Sequence, residues 1–185
     1  MAHPIDNRAY RLATPRPEQG AAIHALVDAC KPLDLNSTYA YLLLCHHFAG
    51  TCVVCMNNDE PVGFVSAYIP PEASTTVFVW QVAVHPDHRG RALGGAMLEE
   101  LLARSALRDV SVLETTVSPS NAASTSMFKK LALAMGAQIS ERTLFLAQHF
   151  DGENHEEEVL LRISPLKKLF TATNSTRRAH DIANI

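Results

Sequence analysis

The sequence predicts a single α/β domain of the α+β kind, with a central sheet flanked by helices. Two observations lead there. Apolar runs of strand length alternate with segments whose apolar residues recur at helical spacing, and no internal repeat or shift of composition divides the 185 residues. A chain of this length, 47% hydrophobic and 19% charged, is long enough for one sizeable core and short for two. The domain is expected over 1–166, with 167–185 as a loosely held tail, because the polar, basic stretch after Phe170 carries no pattern.

The elements follow in order. AYRLATP reads as a short first strand. PEQGAAIHALVDAC places Ile23, Leu26, Val27 and Cys30 at helical spacing, with Pro17 suited to a first turn. STYAYLLLCHHF is a second helix. TCVVCM and PVGFVSAYI, joined by Asn-Asn-Asp-Glu, predict a hairpin. FVWQVAV is nearly continuous in apolar character and is expected to be buried on both faces. LGGAMLEELLAR is a helix, VSVLETTV a strand and SNAASTSMFKKLALAMG a helix. AQISERTLFL and EEVLLRI close the domain as strands.

A formal net charge of -3 gives no global basic field, so a nucleic-acid partner is not expected and any anion site must be local. No stretch reaches the length of a membrane span, and MAHPIDNRAY lacks the features of a signal peptide. A cytoplasmic protein is expected. Cys30, Cys45, Cys52 and Cys55 all fall in apolar or periodic segments, and strand alternation sends Cys52 and Cys55 to opposite faces. They are read as buried free thiols, with no metal site.

The stretch QVAVHPDHRGRALGGAMLEE, Gln81 to Glu100, hands a strand over to a helix through two arginines and three glycines. A helix N-terminus exposes unpaired amides at the positive end of its dipole, and glycine lets a ligand approach them. Arg89 and Arg91 add charge-assisted donors suited to a pyrophosphate. Gly90, Gly94 and Gly95 do not have dinucleotide-fingerprint spacing, and no phosphate loop ending in Gly-Lys-Ser/Thr is present. Tight helix packing alone would also account for the glycines.

Val84-His-Pro-Asp-His-Arg89-Gly-Arg-Ala92-Leu-Gly94 resembles motif A of the GNAT superfamily of acyl-CoA-dependent N-acetyltransferases. There a strand runs through Val-x-Pro into Arg/Gln-x-x-Gly-x-Gly/Ala and a helix. Ala92 departs from the pattern, keeping the amide but adding a methyl. Ser120-Asn121 through Phe128 resembles motif B, in which Asn121 takes the place that contacts the pantetheine arm; as residue types, Ser120 and Asn121 serve equally as helix caps. The resemblance implies a GNAT fold with a mixed, splayed sheet. It also implies acetyl-CoA as co-substrate, held by Val82, Val84, Arg89, Gly90, Arg91, Gly94, Gly95 and Asn121.

The blocks LDLNSTYAYLLLCHHF, VGFVSAYIPP, FVWQVAVHP, LETTVSPSNAAS and HEEEVLLRI are similar, in that order, to the L-2,4-diaminobutyrate acetyltransferases of ectoine biosynthesis. That likeness implies acetyl transfer to the 4-amino group of diaminobutyrate in a homodimer. A substrate with two ammonium groups and one carboxylate needs acidic partners and at least one donor. Asp34, Asn36, Tyr39, Trp80, Glu114 and His155 are the candidates. Asp34 and Asn36 equally suit the cap of the following helix, Trp80 a core position and His155 a solvated turn. Glu114 interrupts an apolar strand, where a carboxylate must be paired, set in a cleft or costly. It is expected to be the general base, with the Val82 amide holding the thioester oxygen and no acyl-enzyme. Another small amine, a peptide N-terminus, or a non-catalytic acyl-CoA sensor would be compatible with the turn and Asn121.

Overall fold

In the computed structural model, which describes residues 10–150 and 155–166, seven strands form one sheet. They are β1 (Tyr10–Ala13), β2 (Val53–Asn57), β3 (Glu60–Tyr68), β4 (Thr76–Val84), β5 (Val112–Val117), β6 (Gln138–Phe145) and β7 (Glu158–Ser164), in the order β1-β2-β3-β4-β5-β7-β6. Every neighbouring pair is antiparallel except β4 and β5. Parallel neighbours need a crossover, and here it carries α3 (Leu93–Leu102). The remaining helices are α1 (Gly20–Asp28), α2 (Thr38–His47) and α4 (Ala122–Ala134). The expected tail over 167–185 lies outside the described residues.

Two apolar clusters lie on opposite faces of the sheet. Leu93, Met97, Leu98 and Leu101 of α3 and Phe128 and Leu131 of α4 pack against Val65, Val79, Leu113 and Ile163. On the other face, Ile23, Leu26 and Val27 of α1 and Tyr41 and Leu44 of α2 draw their strand partners, among the described residues, from β1, β2, β3 and β4. The same face of β5, β7 and β6 therefore has no part in the α1/α2 core. Cys55 belongs to the first cluster and Cys52 to the second, as strand alternation requires, and all four thiols are free and buried. The β2–β3 turn is tighter than expected. Asn57 and Glu60 are already paired, so only Asn58, with φ +53°, and Asp59 make the reversal.

The largest departure concerns β4, which is not buried on both faces. Trp80 is 46% exposed, and Phe78, Val82 and Val84 are half-buried. The register explains it. Ser66 of β3 faces Gln81 and Ala67 faces Val79, so Trp80 is an extra, unpaired residue. Such a bulge resets the alternation. Val79 and Val82 both join the α3/α4 side, while Gln81 turns to Tyr41 on the α1/α2 side. Parallel pairing with β5 stops at Val79 and Thr115, although β4 runs on to Val84 and β5 to Val117. Beyond that point the two strands part, and the gap between them positions the site.

Candidate active site

The chain leaves β4 through Pro86–His88 and reaches α3 by a turn in which Gly90 (φ +75°) and Ala92 (φ +57°) are left-handed. Glycine adopts this conformation freely, whereas an alanine there is strained by about 1–2 kcal/mol. Ala92 holds it at the N-cap of α3, leaving the first amides of that helix at the rim of a cavity of about 680 Å³. Val82 and Val84 form its floor, Arg89 and Gly95 one wall, Asn121 and Met127 another, and the Cys30–Leu33 loop closes it. A Cβ on Gly95 would meet nothing within 4 Å, so α3 presents bare backbone to the groove.

The backbone of β4 is polarised toward the gap. The His85 amide donates to the Val62 carbonyl of β3 at 2.9 Å. Successive amides of a strand point to opposite sides, so those of Val84 and Val82 are turned away from β3, to where β5 has departed. The Val84 carbonyl accepts Nε of Arg89 at 3.2 Å, consistent with that direction. This contact keeps the Arg89 guanidinium at the groove, beside the Cys30 thiol, which burial pushes upward against the lowering influence of that charge.

Arg91 is placed differently. It donates to the Tyr10 hydroxyl and to the Asp87 carbonyl at 3.4 Å, with its guanidinium 5.9 Å from the centre of the Tyr10 ring. Of the two arginines expected at a pyrophosphate, Arg89 borders the groove and Arg91 is held against β1. Gly94 has a packing role, since a Cβ there would lie 2.8 Å from the Met127 sulfur of α4. Asn121 is the N-cap of α4, its Oδ1 accepting the Ser124 amide at 3.1 Å. The cap uses only the carbonyl of that side chain, and among the described residues its NH₂ has no partner, while Asn121 lines the groove.

The amine-side candidates gather on the opposite face of the sheet. Register places Tyr68, Phe78, Glu114, Arg162 and Ser140 in one row across β3, β4, β5, β7 and β6. Trp80 stands on the same face, one step toward the gap. Glu114 Oε1 is ion-paired with Nη1 of Arg162. Asp34 and Asn36 lie on the α1–α2 loop and are tied to this side of β4 through Gln81 and Tyr41. Gln81 Nε2 donates to the Asp34 carbonyl at 2.7 Å, the Tyr41 hydroxyl donates to Gln81 Oε1 at 3.2 Å, and the Asn36 amide donates to that hydroxyl at 3.4 Å. Ser37 caps α2 by accepting the Ala40 amide, so neither Asp34 nor Asn36 is spent as the cap. Tyr39, in the first turn of α2, is exposed.

His155 stands apart from this group within one chain. Its ring stacks on Phe150, centroids 3.7 Å apart, and its Nδ1 lies 2.6 Å from the Glu156 carbonyl. Arg162, the partner of Glu114, is four residues past Glu158, about 13 Å along the strand, and His155 lies before that end. His155 is instead next to the start of α4. There Glu156 accepts the Ser120 amide at 2.9 Å, a bond that holds the Glu156 carboxyl below its ordinary range.

Three residues of the site were not among those expected from sequence: Gln81, Tyr41 and Arg162. Gln81 is the polar residue in FVWQVAV and Arg162 the cation in EEVLLRI, so both carried a signal of the kind that singled out Glu114. Tyr41, inside an apolar helix, carried none. Among the described residues, no group of three or more His, Cys, Asp or Glu could hold a metal ion, and no helix is long and apolar enough to cross a membrane.

Comparison with known proteins bears on this arrangement. Residues 20–132 match the family described as Acetyltransferase (GNAT) family. The L-2,4-diaminobutyric acid acetyltransferase of Bordetella parapertussis is 52% identical over 166 residues, 89% of each chain. That of Marinococcus halophilus is 46% identical over 154 residues, 83% of this chain and 89% of the relative. The structure of the diaminobutyrate acetyltransferase of Paenibacillus lautus, in complex with L-2,4-diaminobutyric acid and coenzyme A, superposes with a TM-score of 0.82. It is 38% identical and covers 84% of this chain and 95% of that one.

Proposed function

The chain belongs to the GNAT family of acetyltransferases and, within it, to the L-2,4-diaminobutyric acid acetyltransferases. From that premise we propose that it moves the acetyl group of acetyl-CoA onto the 4-amino nitrogen of L-2,4-diaminobutyrate, as a step toward ectoine. The observation that carries the reading is the parting of β4 and β5 beyond Val79 and Thr115. The gap joins a groove that exposes helix amides to a face that presents a carboxylate.

The groove fits coenzyme A chemically. Arg89 and the amides around Gly90, Gly94 and Gly95 suit a pyrophosphate, and the apolar floor of Val82 and Val84 with the Asn121 NH₂ suits an amide-bearing arm. Acetyl-CoA supplies a thioester whose carbonyl carbon accepts the amine. The Val82 amide, turned into the gap, donates to the carbonyl oxygen as negative charge builds there. Glu114 takes the proton of the 4-ammonium group, directly or through one water, which frees the nitrogen lone pair. The N–C bond forms, the C–S bond breaks, and the thiolate takes its proton from the product ammonium or from solvent.

Asp34, Asn36 and Tyr39 are assigned to the amino groups of the substrate and Trp80 to its methylene chain, with the loop held in place by Gln81 and Tyr41. His155, stacked on Phe150 away from Glu114, is given no contact with the substrate within one chain. The protein is assigned to the cytoplasm, in keeping with four free thiols. A homodimer is proposed at the β6 edge of the sheet, where Phe145 and Leu146 are exposed, away from the Glu114–Arg162 pair. Mass and NMR analysis of the product formed from acetyl-CoA and diaminobutyrate tests cofactor, substrate and regiochemistry together. A single acetyl on N4 supports the reading, whereas no product, or acetyl on N2, overturns it.

A further inference from the structure

Resting on that reading, we infer that Arg162 binds the carboxylate of the substrate and gives the site its preference for a diamino acid over a bare diamine. A diaminobutyrate site needs a cation or a set of donors for the carboxylate. Asp34 and Glu114 are acidic, Asn36, Tyr39 and Trp80 are neutral, and His155 is not beside Glu114. Arg162 is the cation in contact with Glu114. Of the other described cations, Arg89 lies at the groove, Arg91 on Tyr10, Arg104 on the carbonyls of Ala49 and Cys52 and Lys129 on Glu141, while Arg142, on the same face, is set opposite Leu160 rather than beside Glu114.

The geometry suits the role. Arg162 uses Nη1 for Glu114, and among the described residues Nε and Nη2 have no partner. Its side chain is 45% exposed against 19% for Glu114, so the guanidinium stands at the open side of the pair. The fork that remains is the one that takes a carboxylate bidentately. Glu114 Oε2 is likewise without a protein partner among the described residues, so carboxylate and guanidinium present adjacent charges of opposite sign to a zwitterion. In the substrate, four bonds separate the carboxylate carbon from N4, roughly 5 Å when extended. That length carries the carboxylate past Glu114 to the far side of the guanidinium while N4 stays at Oε2.

The duller role for Arg162 is a cross-strand pair that stabilises the sheet by about 0.2–1 kcal/mol and orients Glu114. 1,3-Diaminopropane separates the two, because it is the same diamine without the carboxylate. Steady-state turnover at saturating acetyl-CoA is measured for wild type, Arg162→Gln, Arg162→Lys and, as a control on the same face, Arg142→Ala, with melting temperatures on the same preparations. For Arg162→Gln the expected result is a KM for diaminobutyrate raised about 10- to 100-fold. Its kcat/KM for 1,3-diaminopropane falls far less than that for diaminobutyrate, and Arg162→Lys recovers part of the difference. Equal losses for both amines would overturn the inference in favour of a purely positioning role, and no loss for either would overturn both roles. Wild-type turnover of diaminobutyrate, read in the same assay, shows whether the proposed function itself stands.

Discussion

The sulfur of Met127 on α4 lies 2.8 Å from where a Cβ on Gly94 of α3 would stand, so the two helices that wall the groove touch where α3 carries no side chain. Gly95, the next residue, faces open space. Two neighbouring glycines should therefore respond oppositely to alanine. Gly94→Ala pushes the flexible Met127 side chain aside, and this overpacking, partly offset by helix propensity, lowers stability by about 1 kcal/mol at most. Gly95→Ala gains helix propensity, up to about 1 kcal/mol, while its methyl projects where a ligand would approach the backbone. Melting temperature and CoA affinity, measured for both, should show a less stable Gly94→Ala and a Gly95→Ala of unreduced stability with weaker binding. A Gly95→Ala that binds CoA as wild type does would remove the bare-backbone argument.

Much of this site was legible because a single residue broke a local pattern. Glu114 stood out as a carboxylate in an apolar strand, and the turn from Arg89 to Gly95 as a strand-to-helix junction without bulky side chains. What was not legible depends on distant partners. The exposure of Trp80 comes from a register shift against Ser66 and Ala67 on another strand, invisible to the composition of FVWQVAV. Arg91 and Arg89 are equivalent as letters, yet Tyr10, far away in the chain, draws one of them aside. The cap of α2 fell to Ser37 rather than Asp34 or Asn36 because the Gln81–Tyr41 hydrogen bonds hold those two backbones against the sheet.

Glu114→Gln is expected to lower turnover about 10²- to 10⁴-fold, the range of a general base, with CoA affinity near normal. The amide can still offer its oxygen to Nη1 of Arg162, so the pairing of β5 and β7 need not change. Melting temperature should move little. A pH–rate profile of the variant at wild-type height would show that Glu114 neither accepts the proton nor holds the amine.

The thiols predict a loss of stability at alkaline pH. Burial pushes Cys45 and Cys55 up to about 11 and Cys52 up to about 12, against an ordinary value of 9.0. Above pH 9 the unfolded chain gives up thiol protons that the native protein retains. The native state is thus disfavoured progressively between about pH 9 and pH 11–12, and the contribution of these groups is intact below pH 9. Urea midpoints at pH 7.5, 9 and 10 should fall in that order. Cys52→Ala, though less stable at neutral pH, should show a shallower fall. An unchanged slope in that variant would mean that lysines and tyrosines, not this thiol, set the alkaline limit.

Phe128 occupies the place where motif B commonly carries a tyrosine able to protonate the leaving thiolate, and phenylalanine has no proton to give. Its ring is buried within the α3/α4 core, 2% exposed, beside Leu131 and Ala132 of the same helix. A thiol with ordinary acidity near 8.5 is a fair leaving group at neutral pH, so departure as thiolate needs no dedicated acid. Phe128→Leu changes shape and volume but supplies no acid either. It should reduce stability by about 1 kcal/mol, a melting shift of roughly 2–4 °C for a domain of this size. Turnover per folded molecule should stay within a few-fold. The informative comparison is rate against melting temperature on one preparation: a large loss of rate at unchanged melting would place the ring in contact with the reacting groups, and the core-packing assignment of Phe128 would fall.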